Sequence, residues 1–144
     1  MACVEPGVAF TKLDPDGDDR FQRLRQELRV STFGLNLLRL RPGEGSRIHR
    51  HEQQEEVYLV LEGTLTLVIE GESHELRRGE LARVAPDVRR QLLNRHREPL
   101  LIVAAGGAKE HFGRDGRAYR SWEETGDGHP PAEVPLAEDV PLAD

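Results

Sequence analysis

Two histidines and a glutamate are closely spaced between Gly43 and Gly63: His49, His51 and Glu56. Side chains of an extended strand alternate between its two faces, so His49 and His51 project from the same face. The next alternating run starts at Glu56 and brings a carboxylate to the same side. Two imidazoles and one carboxylate with open positions opposite form a non-haem iron(II) site, and manganese and zinc accept similar ligands. The pattern predicts a metal site, against the plainer interpretation that the histidines are polar strand residues.

The spacing of these residues resembles the first motif of the cupins, which are small double-sheet jelly-roll barrels. The motif positions are Gly43, His49, His51, Glu56 and Gly63, separated by five, one, four and six residues. The resemblance extends over about residues 33–105. It implies an all-β, double-stranded β-helix (jelly-roll) barrel, with a divalent metal (Fe, Mn or Zn) or with none.

The second motif of the family is incomplete in this chain. The resemblance predicts Gly, five residues, Pro, one residue, Gly, two residues, His, three residues and Asn. Gly79 and Asn94 keep their places, whereas Ala85, Asp87 and Arg90 stand where Pro, Gly and His are expected. An arginine stays protonated and offers no lone pair to a cation. The fourth metal ligand that the resemblance implies is therefore missing.

Arg90 has three alternative roles. By strand alternation it shares a face with Val88, Leu92 and Asn94, so a register like that of the family points its guanidinium into the cavity. It can pair bidentately with Glu56, which favours a metal-free barrel. It can instead hold the carboxylate, phosphate or sulfonate of a ligand beside a metal. In the third alternative it swings to solvent and does neither.

Other polar residues are candidates for the cavity wall. Glu55 rivals Glu56 because the family allows three or four residues in that gap, but Glu56 keeps the spacing to the following glycine and shares parity with Tyr58. Tyr58 and Asn36 are predicted ligand-binding residues, although a tyrosine on a barrel wall is as often packing. A chain end folding over the barrel mouth would deliver His111 as a replacement ligand. Solvent-facing roles are predicted for the remaining polar candidates, Gln91, His74 and His96.

Composition limits the class of protein. The 144 residues are the length of one domain, and a net charge of −6 disfavours nucleic acid as a partner. No apolar run approaches the roughly 20 residues that cross a bilayer, and the first residues lack the layout of a secretory signal. Cys3 is the only cysteine, so no internal disulfide forms, and we interpret it as an incidental thiol. We expect a soluble, cytoplasmic protein.

Three segments must position the candidate site. Residues 1–30 are predicted to form a loose arm and a short helix from Asp19, whose arginines we interpret as a solvated face. Residues 31–107 form the barrel, and residues 108–144 form an extension whose Pro-rich, acidic part from Thr125 is a tail. The predicted strands and hairpins are residues 33–41, a hairpin over 57–69 with its turn at 62–64, a second hairpin turn at 70–73, and strands 81–84, 88–94 and 100–105.

Three functions remain as alternatives. The first is a stand-alone cupin that binds a small anionic molecule through Arg90, His49 and His51, with metal weak or absent. The second is a mononuclear metal enzyme of the dioxygenase or isomerase/epimerase type that uses His49, His51 and Glu56. The third is a structural or interaction module with a vestigial pocket. The resemblance and the aromatic residues in 112–122 also predict a homodimer, without nucleic acid or membrane partners.

Overall fold

The structure is a computed structural model that describes residues 3–5, 7–108 and 115–143. Within these ranges the chain is mostly strand, with one short helix and one 3-10 turn. The elements are β1 (Cys3–Glu5), β2 (Val8–Phe10), β3 (Phe21–Gln22), α1 (Leu24–Leu28), β4 (Gly34–Leu40), β5 (Ile48–His51), β6 (Glu55–Glu62), β7 (Thr64–Ile69), β8 (Glu72–Arg77), β9 (Leu81–Val84), β10 (Arg90–Leu93), β11 (Leu100–Gly107), β12 (Gly116–Tyr119) and the 3-10 turn Pro131–Glu133.

Ten of these strands form two five-stranded antiparallel sheets. One sheet has the order β12-β5-β10-β7-β8 and the other the order β3-β4-β11-β6-β9. The strands are rich in leucine, valine and isoleucine, and their inward side chains form one core between the sheets, as strand alternation requires. This core includes Leu38, Tyr58, Val60, Leu67, Leu92 and Ile102. The predicted all-β jelly-roll fold is confirmed.

Both predicted hairpins are present. At the turn between β6 and β7, Gly63 has φ +81°, and a Cβ there would lie 2.5 Å from the carbonyl oxygen of Pro99, so only glycine fits. Between β7 and β8, Glu70 and Gly71 both have positive φ, of 46° and 84°, which matches the right-handed twist of a tight hairpin. These turns fix the register of the strands that carry the candidate site.

The short helix covers the outer face of the second sheet. Leu24 packs there against Leu37 and Leu101 in a second, smaller core. The helix begins later in the structure than the sequence predicted. Phe21, which the sequence placed in the helix, belongs to β3 and is 45% exposed. The residue that anchors the helix is therefore Leu24, whose side chain is buried.

The N-terminal and C-terminal segments are more ordered than the sequence suggested. β1 and β2 pair as a hairpin where a loose arm was predicted. β12 adds to the edge of β5 in the same chain, and Tyr119 is buried there. In the described part of this segment, β12 thus covers a strand edge of its own barrel.

The acidic tail lies along the barrel instead of extending from it. The Arg47 side chain donates to the carbonyl of Val134 at 2.7 Å, and the backbone N–H of Val140 donates to the carbonyl of Gly43 at 2.9 Å. Gln91, for which a solvent-facing role was predicted, is only 9% exposed and donates to the carbonyl of Ser46. That prediction was wrong because strand parity alone does not show that the tail covers this face. In the described ranges, no helix has the length and apolar character needed to span a membrane.

Candidate functional site

The candidate site lies between the two sheets, where β5 leads into β6. His49 and His51 are on β5 of one sheet, and Glu56 is near the start of β6 in the other. One ligand-type atom from each residue lies within 4.8 Å of the others. The imidazole rings are nearly perpendicular, with centroids 5.6 Å apart. The convergence that the sequence predicted for these three side chains is confirmed.

Each histidine is oriented through its Nδ1 atom. His49 Nδ1 lies 2.9 Å from the carbonyl oxygen of Arg47, and His51 Nδ1 lies 2.8 Å from Oδ1 of Asp115. A carbonyl or carboxylate oxygen accepts a hydrogen bond, so both Nδ1 atoms carry the proton. The Nε2 atoms then face Glu56 Oε1, at 3.8 Å from His49 and 3.1 Å from His51. Metal-binding histidines are commonly held in this way.

Arg90 is enclosed beside the carboxylate. Its Nη2 lies 3.1 Å from Glu56 Oε1, and its Nε donates to the hydroxyl of Tyr58 at 3.2 Å. Its Nη1 donates to the carbonyl oxygens of Pro86 and Val88. The side chain is 0% exposed, so the alternative in which it swings to solvent is wrong. Arg90 pairs with Glu56 through one nitrogen, not as a bidentate fork, and offers a ligand no exposed surface.

Glu56 Oε1 collects several hydrogen-bond donors. The Tyr58 hydroxyl donates to it at 2.5 Å, in addition to the guanidinium of Arg90. Burial alone would raise the pKa of Glu56, but hydrogen bonds and charges from His49 and His51 hold the pKa well below its ordinary value. Burial raises the pKa of Tyr58 well above its ordinary value, so the phenol remains a donor. Glu56 is therefore an ionised carboxylate in a fixed position.

A cavity of about 550 Å³ opens from this cluster. Asn36 lines it, as the sequence predicted, whereas Tyr58 is buried behind Glu56 and is not part of the wall. Arg23 and Arg25 also line the cavity, although the sequence indicated only a solvated face for the arginines of the helix. The lining residues are Phe21, Arg23, Arg25, Gln26, Gly34, Leu35, Asn36, His51, Gln54, Glu56, Ala104, Gly106 and Pro131.

The fold agrees with comparisons against known proteins. Residues 36–106 match the family model of the cupin domain. The chain belongs to the cupin superfamily. A search of curated proteins gave no match.

Solved cupin structures resemble this one. A sugar phosphate isomerase of the cupin superfamily from Silicibacter pomeroyi is 35% identical, with a TM-score of 0.58 over 62% of this chain and 59% of that chain. A cupin protein from Bacteroides fragilis is 24% identical, with a TM-score of 0.60 over 81% of this chain and 95% of that one. A Cupin 2 conserved barrel domain protein from Salinispora arenicola is 25% identical, with a TM-score of 0.57 over 68% and 82%. The match thus spans less than two thirds of the Silicibacter pomeroyi protein.

The residues of this cupin fit a divalent cation at three positions. Both imidazoles present Nε2 to the cluster, and the donors described above use Oε1 of Glu56, which leaves Oε2 without a hydrogen bond from the described residues. Nitrogen and carboxylate ligands of this kind suit Fe, Mn or Zn. The position of the expected fourth imidazole holds the guanidinium of Arg90, which repels a cation. The donor set therefore fits a three-ligand site with an opposing charge nearby.

Asp115 supports this site and was missed by the sequence analysis. Its side chain is 4% exposed and accepts hydrogen bonds from the backbone N–H groups of Gln53 and Gln54 at 2.7 and 2.8 Å. Burial alone would raise the pKa of Asp115, but these hydrogen bonds and that of His51 lower it. The sequence analysis considered a chain end folded over the barrel mouth only as a way to deliver His111, which lies outside the described residues.

The same contacts couple His51 to two carboxylates. Burial would lower the pKa of His51, but Glu56 and Asp115 on either side of the ring outweigh it and raise the pKa. No motif in the sequence marked Asp115, since it lies 64 residues beyond His51. Its only signal was its position just before the Gly116–Tyr119 strand.

Proposed function

We propose that this cupin holds a divalent cation with His49, His51 and Glu56 and binds a small, oxygen-bearing molecule beside it in the cavity. The observation that carries the proposal is the orientation of the imidazoles, whose Nδ1 atoms are both occupied by acceptors. In neutral rings the Nε2 lone pairs then face a carboxylate oxygen, and these groups repel one another. The cluster therefore needs positive charge at its centre, which either a divalent cation or added protons supply.

The cation-bound and the proton-bound cluster carry the same net charge. Glu56 and Asp115 each carry a negative charge, and Arg90 carries a positive one, so neutral histidines leave the cluster one charge negative. A divalent cation brings the cluster to one charge positive, and so do two protons on His49 and His51. Cation binding in exchange for two protons thus leaves the net charge unchanged. Once bound, the cation supplies Lewis acidity toward an oxygen atom of the ligand.

The remaining residues hold and shape the site. Arg90 and Tyr58 fix Oε1 of Glu56, the oxygen that the Nε2 atoms of the two histidines face. A Cβ on Gly106 would lie 3.1 Å from Gln54 Oε1 and 3.2 Å from Cγ of Glu56, so glycine keeps the adjoining wall open. Asn36 supplies an amide to a polar ligand. The chain's own contribution is to orient the ligand and the carboxylate.

Among the reaction types, the isomerase or epimerase type has the better support. The 35% identical structure is named a sugar phosphate isomerase, although the match covers 59% of that chain. Isomerisation and epimerisation that proceed by proton transfer bring solvent hydrogen into the product. We expect Mn-loaded protein in D₂O to introduce deuterium into a member of a sugar phosphate panel, detected by proton NMR. Unchanged spectra across the panel would remove this reaction type and leave the cation site untouched.

The ion pair between Arg90 and Glu56 favours a second candidate, a metal-free binding barrel. The guanidinium already neutralises the carboxylate that a cation needs. In that case no cation is bound, and the cluster binds its ligand by hydrogen bonds alone. Metal titration separates the two candidates.

The decisive titration uses chelator-treated protein. We expect calorimetry with Mn²⁺, Co²⁺ or Zn²⁺ to show one site per chain in the wild type and none in His49→Ala, because that substitution removes one of three ligands. His74→Ala is the matched control, since His74 is an exposed histidine on β8. Heat of equal size in His49→Ala and wild type, or no binding by wild type, would exclude the proposed cation site.

The homodimer stays a prediction. Its aromatic argument is weakened, because Tyr119 packs on its own barrel. Exposed apolar side chains remain on the described surface, including Leu81 at 62% and Phe10 at 58%. Sedimentation of the protein at tens of micromolar, an order-of-magnitude working concentration, checks the prediction. A monomer alone would remove it.

A further inference from the structure

Part of the cavity wall is positively charged in a chain whose net charge is −6. Arg23 precedes α1 and Arg25 lies in it, and both line the cavity. Among the lining residues that the structure describes, the only acidic side chain is Glu56, which is already paired with Arg90. The two arginines therefore have no carboxylate partner among the described residues of the cavity wall.

The guanidinium groups of these arginines are also largely free of other partners. Arg25 uses its Nε to donate to the carbonyl of Val30 at 3.1 Å, which leaves both Nη atoms without an acceptor in the described part of the chain. Arg23 is exposed, and its guanidinium makes no hydrogen bond or ion pair with a described residue. The neighbouring carboxylate of Glu27 accepts hydrogen bonds from Thr11 and Gln22 instead.

The backbone that carries the two arginines is anchored. Leu24 stands between them and is buried against Leu37 and Leu101 on the second sheet. Packing of this leucine fixes the attachment points of both arginines at the cavity, while their long side chains remain able to reach inward. By contrast, Arg39 on the same sheet already donates to three backbone carbonyls, through Nε, Nη1 and Nη2.

We propose that Arg23 and Arg25 form an oxyanion subsite, and that the molecule bound in the cavity carries a phosphate monoester or carboxylate group there. Guanidinium groups match the oxygen geometry of both anions and form charge-assisted hydrogen bonds with them. The amide of Gln26, which also lines the cavity, adds a neutral donor beside the arginines. The subsite itself stands on the arginines alone, whereas placing the rest of the molecule at the His49, His51 and Glu56 cluster rests on the proposed function.

A volume of about 550 Å³ suits a small metabolite that spans both subsites. The oxyanion would bind at the arginines, and hydroxyl or carbonyl oxygens would face the cluster. The oxyanion subsite adds one element to the proposed function, because the helix segment recognises the anionic group of the ligand. The sequence predicted Arg90 as the anion-binding residue, but Arg90 is buried and holds Glu56.

The test compares three probes that share a three-carbon skeleton: glycerol 3-phosphate, glycerate and glycerol. Calorimetry measures their binding to chelator-treated and Mn-loaded protein, in the wild type, Arg23→Gln and Arg23→Gln/Arg25→Gln. Arg78→Gln is the matched control, because Arg78 is an exposed arginine outside the cavity. Because the Arg23 guanidinium has no partner among the described residues, its substitution removes the charge without loss of a described side-chain hydrogen bond or ion pair.

We expect at least one of the two anions to bind wild type more tightly than glycerol does. Arg23→Gln should weaken that binding by about tenfold and the double variant by about 100-fold, as expected for lost charge-assisted hydrogen bonds. Arg78→Gln should leave it unchanged. The ranking of glycerol 3-phosphate and glycerate tells whether the subsite takes a phosphate or a carboxylate.

Two results would overturn the subsite: neither anion binds wild type better than glycerol, or the double variant binds the anions as tightly as wild type does. Titration of the same proteins with Mn²⁺ keeps this result separate from the proposed function. Arginine-dependent anion binding without Mn²⁺ binding supports the subsite and refutes the cation site. Mn²⁺ binding with arginine-independent anion binding does the reverse.

Discussion

His49 and His51 lie two residues apart on one strand, yet different regions of the molecule orient them. The acceptor for His49 Nδ1 is the carbonyl of Arg47, two residues back in the same motif. The acceptor for His51 Nδ1 is Asp115, which lies 64 residues further along the chain. The motif therefore supplies both ligands but orients only one of them by itself. The C-terminal segment completes the site.

The cavity wall is likewise built from residues inside and outside the motif. His51 and Glu56 come from the motif, whereas Arg23 and Arg25 come from the helix segment that precedes the barrel. Residues within the motif fix where a cation would bind. Residues outside it determine how the site is held and which molecule it accepts. Substitutions in the two regions should accordingly have different effects.

The largest effect on metal affinity is expected in the second motif, where Arg90 stands in place of the expected histidine ligand. Arg90→His removes a permanent charge near the cluster and adds an imidazole. Even at an effective dielectric of about 20, the repulsion of a divalent ion by this charge is worth several kcal/mol. We expect the Mn²⁺ affinity to rise by about 100-fold or more, measured by calorimetry.

A neutral variant separates charge removal from ligand gain. Arg90→Met leaves an unbranched, shorter side chain with neither charge nor imidazole, so its Mn²⁺ affinity should fall between those of wild type and Arg90→His. His49→Ala in the Arg90→His background should weaken binding again. If wild type binds Mn²⁺ as tightly as Arg90→His, the guanidinium does not act on the cation, and this account of the second motif is wrong.

An intermediate effect is expected in the C-terminal region, at Asp115. Asp115→Asn removes the charge opposite His51 and places an amide where the N–H groups of Gln53 and Gln54 need acceptors. Loss of such a supporting carboxylate typically costs about 10–100-fold in metal affinity. The unpaired buried donors should lower the free energy of unfolding by about 1–3 kcal/mol.

Calorimetry with Mn²⁺ and denaturant unfolding measure the two consequences of Asp115→Asn. Asp127→Asn is the matched control, because Asp127 is an exposed aspartate of the same segment, with one long contact to Arg50. Full metal affinity in Asp115→Asn would show that His51 needs no distant support. The contrast between the two histidines would then have no functional meaning.

The smallest effect is expected from the end of the tail. Deleting residues 138–144 removes two backbone hydrogen bonds to the barrel, from Val140 to Gly43 and from Ala143 to Arg95. The free energy of unfolding should fall by about 1–2 kcal/mol, seen as a lower melting temperature, with Mn²⁺ affinity unchanged. A fall in affinity as large as that of Asp115→Asn would mean that the tail, too, holds the site.

Much of the fold and part of the site could be predicted from the sequence because they depend on local patterns. Strand alternation placed His49, His51 and Glu56 on converging faces, and glycine at the turns marked both hairpins. Parity placed Arg90 on one face with Leu92, which is also buried, and a register like that of the family pointed this face inward. Each of these inferences needs only neighbours within a few residues.

The rest depends on contacts between distant segments. Asp115 became part of the site only because β12 pairs with β5. The arginines of the helix resembled a solvated face, since the sequence does not show that Leu24 docks them at the cavity. Gln91 had the parity of a solvent-facing residue, but the tail covers it. Amphipathic and parity patterns give the direction of a side chain, not the segment that lies over it.

The most direct test of the cation site is anomalous diffraction from crystals soaked in Mn²⁺ or Zn²⁺. We predict one anomalous peak bonded to Nε2 of His49, Nε2 of His51 and a carboxylate oxygen of Glu56, with zinc distances of about 2.0–2.2 Å. Arg90 should remain beside Glu56 without contacting the metal. A fully soaked crystal without a peak in this cluster, or with a peak only elsewhere on the chain, would contradict the account.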